Sequence, residues 1–148
     1  MRIVVQRVKE ASCTVDGKIT GKCNKGFLLF IGFKNDDNQD NMIKCFKKVV
    51  GLRIFEDENG KMNRSLKDVD GEILAISQFT LYADCKHGNR PSFIEAMEYN
   101  KANTMYEEFV EMLRKEGFNV GTGIFGADMK ISLLNDGPVT IILDTDTL

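Results

Sequence analysis

ILAISQFTLYAD, residues 73–84, is the stretch whose reading decides the fold. It opens as an apolar run, Ile73-Leu74-Ala75-Ile76, of the kind that fills a buried strand. Ser77, Gln78 and Thr80 then stand where more β-branched residues would be expected. A buried strand tolerates hydroxyls and an amide only if each finds a hydrogen-bond partner. If the strand continues, its alternation puts Ser77, Phe79 and Leu81 on one face and Gln78, Thr80 and Tyr82 on the other. Two explanations follow: a strand end emerging into water, or a place where a ligand meets the strand.

Working outward, the chain before this stretch is rich in strands. Arg2–Lys9 is β-branched and reads as a strand. Ala11–Val15 and Lys18–Lys22 flank Asp16-Gly17, a strong hairpin signal. Phe27–Phe33 is continuously apolar, as a central strand would be. Asp40 is placed to cap a helix in which Met42, Ile43, Phe46, Val49 and Val50 recur at helical spacing, with Gly51 as its stop. Leu52–Phe55 is expected as a short strand before an exposed turn, Glu56–Gly60.

Beyond the stretch, Asn89-Arg90-Pro91-Ser92 breaks regular structure, and Pro91 and Ser92 can open a short helical turn. A second helix is predicted over Asn100–Glu116, with Ala102, Met105, Tyr106, Phe109, Met112 and Leu113 as its buried stripe and Gly117 ending it. Asn119–Thr122 and Lys130–Leu134 read as strands around the glycine-rich piece Gly121–Gly126. That piece is no dinucleotide fingerprint, because no third glycine opens a helix there. Asn135-Asp136-Gly137-Pro138 reads as a turn into a last strand, Val139–Leu143. The expected fold class is α+β: one domain spanning residues 1–148, with a mainly antiparallel, barrel-like sheet and two main helices.

Composition narrows the function classes. The 148 residues are enough to bury a core without staples. No apolar run approaches the ~18 residues of a membrane helix, and the N-terminus does not resemble a signal peptide. A cytoplasmic location is the expectation. Cys13, Cys23, Cys45 and Cys85 form no CxxC pair, and His87 is the only histidine, so a histidine-rich metal site is excluded. The net charge of −2 does not advertise nucleic-acid binding, although Lys44, Lys47 and Lys48, and Lys86, His87 and Arg90, form local basic clusters. Cys85 and His87 on a common strand face would be ~7 Å apart at the backbone, loose for a nucleophile and its base. Thr80 has no base adjacent in sequence, and Asp57 and Glu58 read as solvated loop carboxylates. Residue patterns alone thus stop at a domain with one oddly polar strand and one glycine-proline turn.

Several motifs together carry a resemblance. SQFTLYAD (77–84), GNRPSF (88–93) and NDGPVT (135–140), with MRIVVQRV (1–8) and GIFGADM (123–129), resemble the D-aminoacyl-tRNA deacylases, in consistent order from end to end. The resemblance implies hydrolysis of the ester joining a D-amino acid to the 3′-terminal adenosine of tRNA, with mischarged glycyl-tRNA a candidate second substrate. It implies a homodimer in which the Ser77–Thr80 segment of one subunit meets the Gly137-Pro138 turn of the other, through a cis Gly-Pro bond. Phe79 and Thr80 would offer backbone N–H groups to an oxyanion. Ser77 and Gln78 would hold the adenosine end, Phe125 and Met129 would line the adenine pocket, and Arg7 would brace the Gly137-Pro138 turn. No metal or organic cofactor is implied, and the substrate's own ribose 2′-hydroxyl would replace a protein base. Two alternatives stand beside this: a non-catalytic tRNA-binding dimer, and a Cys85-dependent esterase.

Overall fold

The computed structural model describes the whole chain, Met1–Leu148. Strands are β1 (Arg2–Val15), β2 (Lys18–Cys23), β3 (Gly26–Gly32), β4 (Phe55–Glu56), β5 (Met62–Arg64), β6 (Glu72–Ser77), β7 (Val120–Thr122) and β8 (Lys130–Asp144). Helices are α1 (Gln39–Gly51) and α2 (Tyr99–Lys115), with short 3₁₀ turns at Lys67–Val69 and Phe79–Tyr82. The main sheet runs β2-β1-β3-β6-β7, with β8 also paired to β1, while β4 and β5 form a small separate hairpin. Pairs made by β1 are antiparallel, whereas β3–β6 and β6–β7 are parallel, so the sheet is mixed. Its two edges come together where β2 crosses β7. A Cβ on Gly21 would sit 2.2 Å from the Thr122 carbonyl oxygen, and one on Gly121 would sit 2.6 Å from that of Lys22. Two glycines therefore let backbone meet backbone, and the sheet curls into a nearly closed barrel.

Sequence alternation sorts side chains between two cores. One face of the sheet packs under α1 and α2, where Ile3, Val5, Phe27, Leu29, Ile73, Phe109 and Leu113 belong to a cluster of 25 buried residues. The other face points into the barrel, where Val8, Cys13, Leu28, Leu74 and Ile76 belong to a smaller cluster of 7. The strand β3 runs through the middle with most residues buried, as its apolar run predicts. The Met1 ammonium is fully buried, paired with the Asp37 carboxylate and bonded to Thr145 Oγ1 at 2.7 Å, which ties the start of β1 to the loop before α1.

Several expectations require correction. The strand through 73–84 stops at Ser77, and Phe79–Tyr82 is a 3₁₀ turn, so the alternation of faces does not continue past Ser77. Arg2–Lys9 and Ala11–Val15 are one strand, bent by register shifts rather than broken. The helix α1 is capped by Asn38, whose Oδ1 accepts from the Asp40 and Asn41 N–H groups, and Asp40 lies inside the first turn. On that helix Cys45 takes a buried place, while Ile43 is exposed. Pro91 and Ser92 open no helical turn: Ser92 bridges back to Asp84 in antiparallel fashion. The short strand expected at Leu52–Phe55 begins only at Phe55. Lys130–Leu134 and Val139–Leu143 are halves of the single strand β8, with the Gly137-Pro138 segment bulging from it.

Candidate active site

The end of β6 builds the first wall. The Gln78 N–H donates to the Ile31 carbonyl at 2.7 Å, the last bond linking this segment to β3 before the chain turns. Gly32 makes the turn possible, because a Cβ there would lie 2.9 Å from the Gln78 carbonyl oxygen and 3.1 Å from Leu81 Cβ. The turn is closed by the Leu81 and Ala83 N–H groups, which donate to the Gln78 and Thr80 carbonyls. As the first residues of a short helical turn, Phe79 and Thr80 have N–H groups that donate to no protein acceptor. The Thr80 hydroxyl accepts from Gln78 Nε2, and Arg2 fixes the far end by donating to the Leu81 carbonyl at 2.6 Å and to Asp144.

A second wall comes from the 83–98 segment. Asp84 and Ser92 exchange backbone hydrogen bonds at 2.8 and 2.9 Å, closing off residues 85–91 as a loop and bringing Phe93 back beside Phe79. The two rings meet edge to face with centroids 5.0 Å apart. A third wall is the glycine-rich loop between β7 and β8. Gly123 leaves room for Met129, whose sulfur would be 2.4 Å from a Cβ there. Phe125 packs against Tyr99 (4.9 Å) and Tyr106 (5.8 Å) of α2. Tyr106 in turn donates to the Ala75 carbonyl of β6 at 2.8 Å, and burial pushes its phenol above the usual range.

These walls enclose a cavity of about 590 Å³, within the size range of small-ligand sites. Ser77, Gln78, Phe79, Phe125 and Met129 all line it. Its one carboxylate, Asp128, is exposed and paired with Lys130 at 3.0 Å, so it is not a desolvated base. No histidine or cysteine lines the cavity.

Gly137, Pro138 and Arg7 lie outside it. The Gly137–Pro138 peptide bond is cis. Register shows the segment leaving β8: Gln6 pairs with Thr140 and Val8 with Asn135, so residues 136–139 bulge from the ladder. Arg7, only 5% exposed, donates from Nε to the Asp136 carbonyl at 3.0 Å and from Nη1 to the Ile54 carbonyl at 2.6 Å. The Asn135 amide donates to the Val139 carbonyl across the base of the bulge. Gly137 has φ +129, and a Cβ there would lie 3.0 Å from Arg7 Nη2. The bulge is thus held rigidly, with Gly137 and Pro138 themselves exposed. Along β8, Leu133, Leu134 and Ile142 also show apolar side chains to solvent.

The cysteine alternative fares differently. Cys85 and His87 sit in an irregular exposed loop, not on a strand face, and neither side chain makes a hydrogen bond. Features missed in the sequence are the 3₁₀ turn that frees the Phe79 and Thr80 N–H groups, and Tyr99 and Phe93 at the cavity mouth. The signal for the last two was an exposed aromatic beside a turn, which many surfaces show without function.

A sheet curled into a barrel, two helices on its outer face and an apolar, ligand-sized cavity at a strand-to-turn junction define a small α+β protein. The family model described as D-Tyr-tRNA(Tyr) deacylase matches residues 4–144. Similar proteins include D-aminoacyl-tRNA deacylases of Clostridium novyi, 57% identical over 98% of this chain and 97% of that protein, and of Thermotoga petrophila, 53% identical over 100% and 99%. A solved structure described as c-Myc DNA Unwinding Element Binding Protein is 40% identical, covers 97% of this chain and 98% of that one, and superposes with a TM-score of 0.92. Another, of a probable eukaryotic D-amino acid tRNA deacylase, shares the fold at a TM-score of 0.83 with 17% identity, covering 96% and 97%. The chain belongs to the D-Tyr-tRNA(Tyr) deacylase family.

Proposed function

We propose that this protein hydrolyses the ester joining a D-amino acid to the 3′-terminal adenosine of tRNA, releasing the free amino acid and a reusable tRNA. The observation that carries the reading is the Ser77–Thr80 segment, which borders a ligand-sized apolar cavity and leaves the Phe79 and Thr80 N–H groups unpaired. An aminoacyl ester is already activated, so the protein need mainly place the carbonyl and stabilise the charge that water attack builds on its oxygen. The Phe79 and Thr80 N–H groups are suited to that charge, an effect worth about 3 kcal/mol per donor in other enzymes. Ser77 and Gln78 hydrogen-bond the ribose end, and Phe125 and Met129 take the adenine. The cavity has no desolvated carboxylate or imidazole, which favours a substrate hydroxyl, the ribose 2′-OH, as the group that helps activate water.

The second half of the site comes from a second copy. Gly137 and Pro138 face outward on a braced bulge, outside their own chain's cavity, beside the exposed apolar residues of β8. In a symmetric homodimer that bulge closes the partner's cavity, each copy serving the other. Its backbone carbonyls hold the substrate's α-ammonium and leave no space for an L side chain, so chirality is read by exclusion rather than by contact with a particular D side chain. By that geometry glycyl-tRNA, having no side chain to exclude, would also enter. No helix here is long and apolar enough to cross a membrane, and a cytoplasmic site of action suits a tRNA substrate.

The test is amino-acid release from D- and L-aminoacyl-tRNA by the purified protein. Rapid release from the D form and sparing of the L form is expected. Release from neither would favour a tRNA-binding dimer, and loss of D activity on Cys85→Ala would favour the cysteine esterase.

A further inference from the structure

Exposed aromatic rings stand on two sides of the cavity mouth. On the side of the reacting ester are Phe79 and Phe93, already packed edge to face on one another. On the other side is Tyr99, the first residue of α2, with 57% of its surface in water. Such a residue at a helix start is usually free to swing. Tyr99 is not: its hydroxyl donates to the Phe125 carbonyl at 3.3 Å, and its ring meets Phe125 edge-on. The loop also presses on it at Gly126, where a Cβ would come within 2.5–3.0 Å of the Tyr99 hydroxyl and ring carbons. Gly126 has φ +77, so both its conformation and the contact require glycine. The ring is thereby fixed at the rim while more than half of the side chain stays open to solvent.

A fixed, exposed aromatic is what single-stranded nucleic acid uses as a stacking platform. On the reading above, on which this inference rests, the cavity takes the terminal adenosine with its amino acid. Its volume is within the range of sites that hold a group of that size. The tRNA end is single-stranded and reads cytidine-cytidine-adenosine. The preceding cytidine is joined through the 5′ carbon of the terminal ribose, which lies on the same ring face as the base; it therefore leaves over the rim on the adenine side. Tyr99 packs on Phe125, which on that reading takes the adenine. We propose that Tyr99 stacks the base of the cytidine preceding the terminal adenosine, making it a specificity-determining contact for a polynucleotide over a lone nucleoside ester.

The experiment compares two substrates, D-aminoacyl-tRNA and the corresponding D-aminoacyl-adenosine, with wild type, Tyr99→Ala and Tyr99→Phe. The expected result is that Tyr99→Ala lowers kcat/KM on the tRNA at least about fivefold, the lower end of base–aromatic stacking, through KM. On aminoacyl-adenosine, where only its support of Phe125 is lost, the fall should be several-fold smaller, and Tyr99→Phe, which keeps the ring, should lie near wild type on both. An equal loss on both substrates would place the ring in the adenosine pocket or in the fold and overturn the proposal, as would no loss on either. A loss in Tyr99→Phe equal to that in Tyr99→Ala would assign the effect to the hydroxyl, with the same consequence. Were the wild type to hydrolyse neither substrate, the deacylase reading would fall. Binding of the trinucleotide CCA relative to adenosine would then still decide, and equal affinities in wild type and Tyr99→Ala would overturn the stacking contact.

Discussion

Arg7→Met removes a buried guanidinium while keeping the bulk of its stem. In the native chain that group makes charge-assisted bonds to the carbonyls of Asp136 and Ile54, at 3.0 and 2.6 Å. Hydrogen bonds to charged groups contribute about 1.5–3 kcal/mol each, and the carbonyls left behind at a site 5% exposed find little water. A loss of about 3–5 kcal/mol is expected from these two bonds. For a chain of this length that corresponds to a fall in Tm of about 10 °C. Urea unfolding followed by circular dichroism measures the stability, and hydrolysis of L-aminoacyl-tRNA measures the consequence for the bulge. Because Arg7 fixes the bulge next to Gly137, selectivity for the D form should fall with stability. A variant that unfolds within 1 kcal/mol of wild type and still spares the L substrate would refute the bracing role.

Three further outcomes follow from the site and its surroundings. Thr80→Ala keeps the backbone N–H and loses only the hydroxyl that accepts from Gln78, so a partial fall in kcat is expected in a single-turnover assay; abolition with a trapped threonyl ester would mean a nucleophile. Cys85→Ala should keep most activity, and native protein should react with a thiol reagent at Cys85 alone, because Cys13, Cys23 and Cys45 are buried and burial pushes the Cys23 and Cys45 thiols up to about 11. Rapid titration of more than one thiol before unfolding would contradict this packing. Backbone N–H groups hold the Asp57, Asp68 and Glu98 carboxyls below their usual range; at Asp144 burial pushes upward, but the Asp146 N–H and the Arg2 guanidinium outweigh it. Carboxyls lowered in the folded state add stability above their unfolded pKa and lose it as pH falls, so unfolding midpoints should be flat near neutrality and drop below about pH 4; stability rising with acid would contradict those contacts.

Residues with strong periodicity were readable from sequence. Phe27–Phe33 is a central strand because an unbroken apolar run has nowhere else to go, and α2 shows its stripe because Ala102, Met105, Tyr106, Phe109 and Leu113 repeat at helical spacing. The α+β, barrel-like architecture with two helices also held, although mixed pairing replaced a largely antiparallel expectation, since β3–β6 and β6–β7 direction depends on crossovers that local pattern does not encode. The helical turn at Phe79–Tyr82 escaped notice because β-branched and aromatic residues favour strands on average, and only Gly32 on a distant strand makes room for the turn. The continuity of β8 was hidden by Asn135-Asp136-Gly137-Pro138, which has turn composition but is held as a bulge by Arg7 and Asn135. The cavity wall at Met129 likewise depends on Gly123 yielding to it, a contact between residues that sequence spacing alone does not bring together.

Subunit complementation tests most directly the proposal that two copies share each active site. Phe79→Pro removes one of the free N–H groups at a position whose helical turn accepts proline. Gly137→Val places a branched side chain where a Cβ alone would lie 2.8 Å from the Val139 side chain and 3.0 Å from Arg7. Each variant alone, shown folded by circular dichroism, should be nearly inactive on D-aminoacyl-tRNA. Unfolded and refolded together in equal amounts, about half of the dimers would be mixed, each with one intact site built from the two undamaged halves. D-specific hydrolysis should then return to about a quarter of the wild-type rate. A mixture no more active than the sum of its parts would contradict a site completed by the partner's Gly137-Pro138.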